Sequence, residues 1–402
     1  MTRNDSLKMV AFALGIGVFA AGPALALDRV SASEKGSLLV YPKVEIRWNA
    51  AGNVIQDTYL DLTNDYAGAV AVQLYFVNGD GPLAANGTER AHPGYNWVDN
   101  MIMLTGNEPT FWSALTGFEK GVSPFTVLDP SANPLAQGRP ANDGTGERVL
   151  RGFVLAWAVN AAGEEIRWNH LKGDTLIVNY DGTAAWEHNA WAFSATEAVA
   201  HGAVTGTPGV LNLDGVEYDR CFDLLYLDFY ATGSTAFSNS GRFVVVDTDL
   251  TLLLMQIDLR QDTMGPYPTK AKFDIWNQNE VKFSGTERCI TFWDQELVGN
   301  YAVPNHFLRT HLQTNKGKAR IDGMASSVCP LSINVPLLGV AAKMLDFDAG
   351  ADFAMAGMNL VGMGYQNGCI KADVLGGPPP ELPVMGATID AVPVPSGARL
   401  GR

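Results

Sequence analysis

The side chains that could do chemistry are spread thinly along this 402-residue chain. The six histidines are His92, His170, His188, His201, His306 and His311, and none sits in a pattern that supplies a nucleophile and an orienting partner. Nucleophilic catalysis needs those three groups together in space. There is no GxSxG elbow, no HExxH helix, no P-loop and no GxGxxG after a strand. Glu164-Glu165, Asp247-Thr248-Asp249 and Asp258 have the residue type of glycosidase acids. That chemistry depends on a carboxyl separation of about 5–10 Å across a cleft, which spacing along the chain does not supply. The segment Asp346-Phe347-Asp348-Ala349-Gly350-Ala351-Asp352 alternates acids around a glycine. Asp346, Asp348 and Asp352 are therefore candidate oxygen ligands for Ca2+. The glycine is fifth and position twelve is Gly357, so this is not an EF-hand loop. No other cofactor is indicated.

Aromatic rings offer a second chemistry. Exposed rings stack on the apolar faces of sugars while Asn, Asp and Arg bond the hydroxyls. Trp97, Trp112, Trp168, Trp186 and Trp191 are the candidates, all in the first half of the chain. The competing assignment is a core position, the usual place for tryptophan. Trp186 and Trp191 are five apart, so an unbroken strand would point them to opposite faces.

Composition narrows the class further. Apolar residues make up 47 %, charged residues 17 %, and the net charge is −14. That balance excludes disorder, and its sign argues against nucleic acid as a partner. Arg3 and Lys8 precede an apolar run, Met9–Ala21, followed by Ala24-Leu25-Ala26. This is the order of a cleaved secretory signal over residues 1–26. Its apolar run is short for a membrane span, and no later segment reads as one. The expectation is an exported protein, periplasmic or at the cell surface. The even set of cysteines, Cys221, Cys289, Cys329 and Cys369, then suggests disulfides; the favoured pairing is Cys289–Cys329 and Cys221–Cys369.

The elements that would position these groups are strands. Val70–Asn78 alternates with Val70, Val72, Leu74 and Phe76 on one face, and Asp57–Asn64 precedes it across Asp65–Ala69, read as a hairpin loop. Comparable runs occur at Leu39–Trp48, Arg151–Val159, Thr175–Tyr180, Ala185–Phe193, Arg242–Asp247, Thr251–Asp258, Lys270–Trp276, Cys289–Trp293, Arg320–Val328 and Phe353–Leu360. Pro109–Leu115 is the best candidate for a helical turn. Gly-Thr-Glu-Arg occurs at Gly87–Arg90 and again at Gly285–Arg288, each after a similar strand, and suggests an internal duplication.

The predicted organisation is all-β. It comprises a signal peptide (1–26), a Trp-rich sandwich (27–205) with an inserted loop near 110–148, a Cys-containing sandwich (206–371) and a Pro/Gly-rich tail (372–402). The strand alternation and turns resemble Ig-like or jelly-roll-type sandwiches of secreted bacterial proteins. The functional expectation is a non-enzymatic structural, adhesive or surface-assembly protein, with surface proteins or glycans as partners. The alternatives are a glycan-binding protein using the first-half aromatics and, behind it, a secreted hydrolase.

Overall fold

The computed structural model describes residues 34–80, 97–116, 138–141, 144–237, 243–259, 268–348 and 352–372. The signal segment, most of the 110–148 loop, Gly87–Arg90 and nearly all of the tail lie outside the described residues. In the first half the strands are β1 (Leu38–Trp48), β2 (Val54–Asn64), β3 (Val70–Asn78), β4 (Trp97–Leu104), β5 (Glu108–Ser113), β6 (Arg139–Pro140), β7 (Arg148–Val159), β8 (Leu171–Asn179), β9 (Ala184–Asn189) and β10 (Trp191–Phe193). The second half contains β11 (Val210–Leu213), β12 (Cys221–Tyr230), β13 (Ser234–Phe237), β14 (Phe243–Leu254), β15 (Ile257–Asp258), β16 (Thr269–Asn277), β17 (Lys282–Ile290) and β18 (Trp293–Leu297). It continues through one short helix, α1 (Arg309–Leu312), to β19 (Lys316–Met324), β20 (Leu337–Phe347), β21 (Asp352–Asn359), β22 (Val361–Gln366) and β23 (Gly368–Lys371).

The first half folds into two layers, β4-β3-β7-β1 with β10 on β1, and β9-β8-β2 with β5 on β2. They stay hydrogen-bonded as one sheet because β1, bulged at Arg47/Trp48, pairs with β2 at its far end. Tyr41, Ile46, Leu60, Leu74, Val154 and Trp168 fill the space between the layers. The second half repeats these adjacencies. β17-β16-β19-β12-β22 forms one layer, and β21-β20-β14 with β18 on β14 forms the other. The register matches at the ends of the equivalent strands, where Asn78 of β3 faces Gly152 and Asn277 of β16 faces Gly317.

The halves do not keep separate cores. Leu38, Tyr75, Phe153 and Trp157, on the outer face of the β4-β3-β7-β1 layer, join Leu253, Phe273, Ile321 and Leu338 of the second half in one apolar cluster. Covering both faces accounts for the near-continuous burial of β1, β3 and β7. Gly152 is required where β7 crosses β3, because a Cβ there would stand 1.9 Å from the Val77 carbonyl oxygen. The stack ends on a charged surface. On the outer face of β16, Asp274 is ringed by Lys272 at 3.6 Å, Lys282 at 3.2 Å and Arg320.

Several sequence expectations change. Glu108–Ser113 is a strand, not a helical turn, held by antiparallel pairing with β2 from Asn64↔Glu108 to Tyr59↔Ser113. Asp65–Ala69 is not a hairpin loop, because β2 and β3 belong to opposite layers and the connection crosses between them. The two runs expected around residues 248–250 are one continuous strand, β14, and β17 ends at Ile290 where a strand through Trp293 was expected.

Candidate functional site

The outer face of the β5-β2-β8 layer is the best-formed exposed ring surface among the described residues. Alternation turns Leu60 and Leu62 inward and leaves Tyr59, Asp61 and Thr63 outward on β2. Phe111 of β5 lies parallel to Tyr59 with ring centroids 5.4 Å apart, and the Tyr59 hydroxyl meets the Tyr180 hydroxyl at 2.8 Å. Phe111 is 62 % exposed and Tyr180 43 %. Burial first, and the Asp174 carboxylate after it, push Asp61 above the ordinary carboxylate value. The surface thus combines flat apolar rings with two acids and a hydroxyl at its edge, which suits stacking and hydrogen bonding. Sequence reading named none of these residues. Phe111 lay in the segment read as helical, and tyrosines were passed over for tryptophans.

The predicted tryptophans go elsewhere. Trp112, Trp168, Trp186 and Trp191 are all buried, at most 6 % exposed, so none offers a free ring face. Trp112 and Trp168 fill the first sandwich, Trp191 joins the shared core, and Trp186 packs with Ile177 and Ala342 between the halves. The strand breaks at Ala190, which is how residues five apart both turn inward. Trp97 opens β4 opposite Val77, and its side chain lies outside the described residues. A second ring cluster surrounds Trp168: His201 stands 4.4 Å away and Tyr66 5.0 Å away, and His170 contacts Asp65 at 2.9 Å. Burial first, then nearby cations, holds both histidines below their usual value.

Beside the shared apolar cluster, charged groups also join the halves. Beyond an irregularity between Tyr41 and Val44, β1 turns Lys43, Glu45 and Arg47 toward the second half. Lys43 Nζ lies 2.7 Å from Asp249 Oδ2 and 3.2 Å from Glu45 Oε2. Arg47 pairs with Glu45 and, at 3.3 Å, with Glu147. Arg151 donates two 3.0 Å bonds to Asp80, which Arg139 also approaches, and one to Gln295, which in turn donates to Asp249. Burial opposes ionisation of Glu45, but Arg47 and Lys43 outweigh it and hold the carboxyl well below its ordinary range. Burial keeps His188, bonded to the Lys43 carbonyl at 3.2 Å, down at about 4 and therefore neutral. Lys43, Arg47, Arg139 and Arg151 face Glu45, Asp80, Glu147 and Asp249. The arrangement welds the halves together.

Asp346 lies at the end of β20 and Asp348 just after it, with Phe347 opposite Asp352 in the antiparallel β20–β21 register. Asp348 takes a positive φ of 52°. The Asp352 side chain lies outside the described residues. No group of three His, Cys, Asp or Glu that could hold a metal occurs among the described residues. The acids read as glycosidase candidates are dispersed. Asp249 pairs with Lys43, Asp247 accepts a 2.7 Å bond from Thr232, and Glu165 is buried.

Cys289 and Cys329 form a disulfide, with Cα atoms 5.6 Å apart. It reaches from β17 past β16 to the turn after β19. Cys221 and Cys369, expected to pair, are instead free thiols. Cys221 points into the core from β12 while Cys369 sits on β23, a strand of a different small sheet. Burial raises both thiols, that of Cys221 strongly. Replacing Cys289 and Cys329 by serine reopens a 40-residue separation and is expected to lower stability by about 2–4 kcal/mol, as read by guanidinium titration.

Comparison with known proteins places the chain in no family: no family model and no curated protein matches it. Among solved structures it is similar to a cryo-EM structure of broad bean stain virus, at 11 % identity and a TM-score of 0.15, covering 85 % of this chain and 96 % of that one. It is also similar to the CupB6 tip adhesin of Pseudomonas aeruginosa, at 9 % identity and a TM-score of 0.11, covering 83 % and 94 %. Superpositions this loose carry no functional argument. No helix of the described residues is long and apolar enough to cross a membrane.

Proposed function

We propose that this is an exported, non-enzymatic adhesive protein, built from two copies of one sandwich unit and binding through the outer face of its β5-β2-β8 layer. The observation that carries the reading is the Phe111–Tyr59–Tyr180 ring row, exposed on a rigid sheet. The repeated strand adjacencies support the duplication, and the signal-like N-terminus and the disulfide support export. The ligand class that fits rings edged by Asp61, Thr63 and Asp174 is carbohydrate.

Binding to a polysaccharide panel, followed by calorimetry and intrinsic fluorescence, is expected to identify a ligand. F111A and Y180A together should weaken it by roughly tenfold or more, since each stacked ring contributes on the order of 1 kcal/mol. Binding that survives both substitutions would move the site elsewhere.

A second reading, assembly with other copies or surface proteins, is favoured by β22. This edge strand of its layer pairs with β12 and presents Val361 and Met363 to solvent. Exposed apolar edges template further strand pairing. Concentration-dependent sedimentation that V361K abolishes would select it.

A further inference from the structure

Among the buried side chains whose oxygen atoms no hydrogen bond satisfies, four gather near the connection between the halves: Glu165, Thr205, Glu217 and Tyr218. Glu165 follows β7, and Glu217 lies in the connection between the halves; they are 0 % and 7 % exposed. Glu165 Oε1 accepts the Gly209 N–H at 3.0 Å, but its Oε2 has no partner, nor has Glu217 Oε1. The Tyr218 hydroxyl, on a side chain 1 % exposed, lies near both carboxylates and beside the Thr205 hydroxyl, and neither hydroxyl completes a hydrogen bond of good geometry.

The backbone fixes these groups in place. The Thr205 N–H donates to the Glu165 carbonyl at 3.1 Å, and the Thr196 N–H donates to the Glu217 carbonyl at 3.0 Å. Gly206 makes room, since a Cβ there would stand 2.0 Å from Glu217 Oε2. The charges acting on the pair are all negative: Glu164 on Glu165, and Glu165 with Asp214 on Glu217.

Burying two carboxylates with no counter-charge is strongly unfavourable, and orphaned buried oxygens call for a partner. An all-oxygen set of two carboxylates and two hydroxyls is the preference of a hard divalent cation, and its charge balances such an ion. We propose that Glu165, Glu217, Thr205 and Tyr218 form a binding site for a divalent cation of the calcium class, which staples the connection between the two sandwiches to the first. This inference is independent of the adhesive reading. It is also distinct from the Asp346–Asp352 hairpin.

Terbium luminescence and calcium-dependent melting of the full chain test the site. One Tb3+ per chain is expected to bind, displaced by Ca2+. E165Q and E217Q, which keep shape and relieve an unpaired charge, should each weaken it about tenfold or more, because affinity follows ligand charge. Y218F should weaken it less, and D346N should leave it unchanged. Ca2+ should raise the melting temperature of the full chain, and should not raise that of E165Q or E217Q. No calcium-dependent shift, or one that survives both glutamine variants, would overturn the proposal.

Discussion

Replacing Lys43 with methionine lowers the unfolding free energy by about 3–5 kcal/mol, the usual effect of breaking a buried ion pair on one side. Methionine preserves most of the apolar stem, which runs beside Trp186 with Nζ 5.4 Å from the ring centroid. The loss therefore comes from charge. Glu45 and Asp249 keep their carboxylates, both largely shielded from solvent, without the ammonium that stands between them. Adding Asp249→Leu to Lys43→Met should recover part of the loss, because an apolar pair can replace a buried ionic one. The deficit should persist in high salt, since screening acts weakly on buried charges. Denaturant titration at pH 7 measures all of this, and a loss below about 1 kcal/mol would mean that the pair behaves like an exposed one. The pH dependence has a definite sign. Glu45 titrates below its unfolded value in the folded chain, so its contribution is full above about pH 4.3 and disappears as pH falls toward the folded value.

Why this network was not legible in the sequence is a matter of distance along the chain. Lys43 and Asp249 are 206 positions apart and meet only because two sandwiches stack. The segment Glu45-Ile46-Arg47-Trp48 shows alternating charge, yet nothing local says that its charged face is buried. The same limit hid the Glu165–Glu217 cluster: Glu165 was noticed beside Glu164, but its spatial partner stands across the connection. What was legible is local. Val70–Asn78 alternates and is a strand with those bounds, and the all-β class followed from many such runs between turns. Leu337–Phe347 was missed because its buried half, Leu-Leu-Gly-Val-Ala-Ala, has no period-two pattern. That half is buried on both faces and lacks the period-two pattern that β3, equally buried, retains. Cysteine pairing divided in the same way. Cys289–Cys329 joins segments of one layer, whereas Cys221 and Cys369 sit in strands of different sheets as free thiols, near enough that Cys369 acts on Cys221.

Trp157→Ala is expected to cost a further about 3–5 kcal/mol, the range for removing a large buried aromatic. It should also reveal how the two halves are joined. Trp157 is fully buried near the C-terminal end of β7 and packs edge-on against Tyr75 with centroids 4.9 Å apart. Its face of the layer belongs to the cluster that includes Leu253 and Ile321 of the second half. If that cluster is one cooperative core, truncation shifts a single unfolding transition, and probes in either half move together. Two separated transitions, with only the first-half probe displaced, would show that the sandwiches fold as independent units. Trp157→Phe sharpens the interpretation. The indole N–H has no hydrogen-bond partner in its buried position, so phenylalanine removes an unsatisfied donor while leaving most of the ring. It should therefore cost much less than alanine. A phenylalanine variant as damaged as the alanine one would mean that the indole N–H contributes a bond of its own.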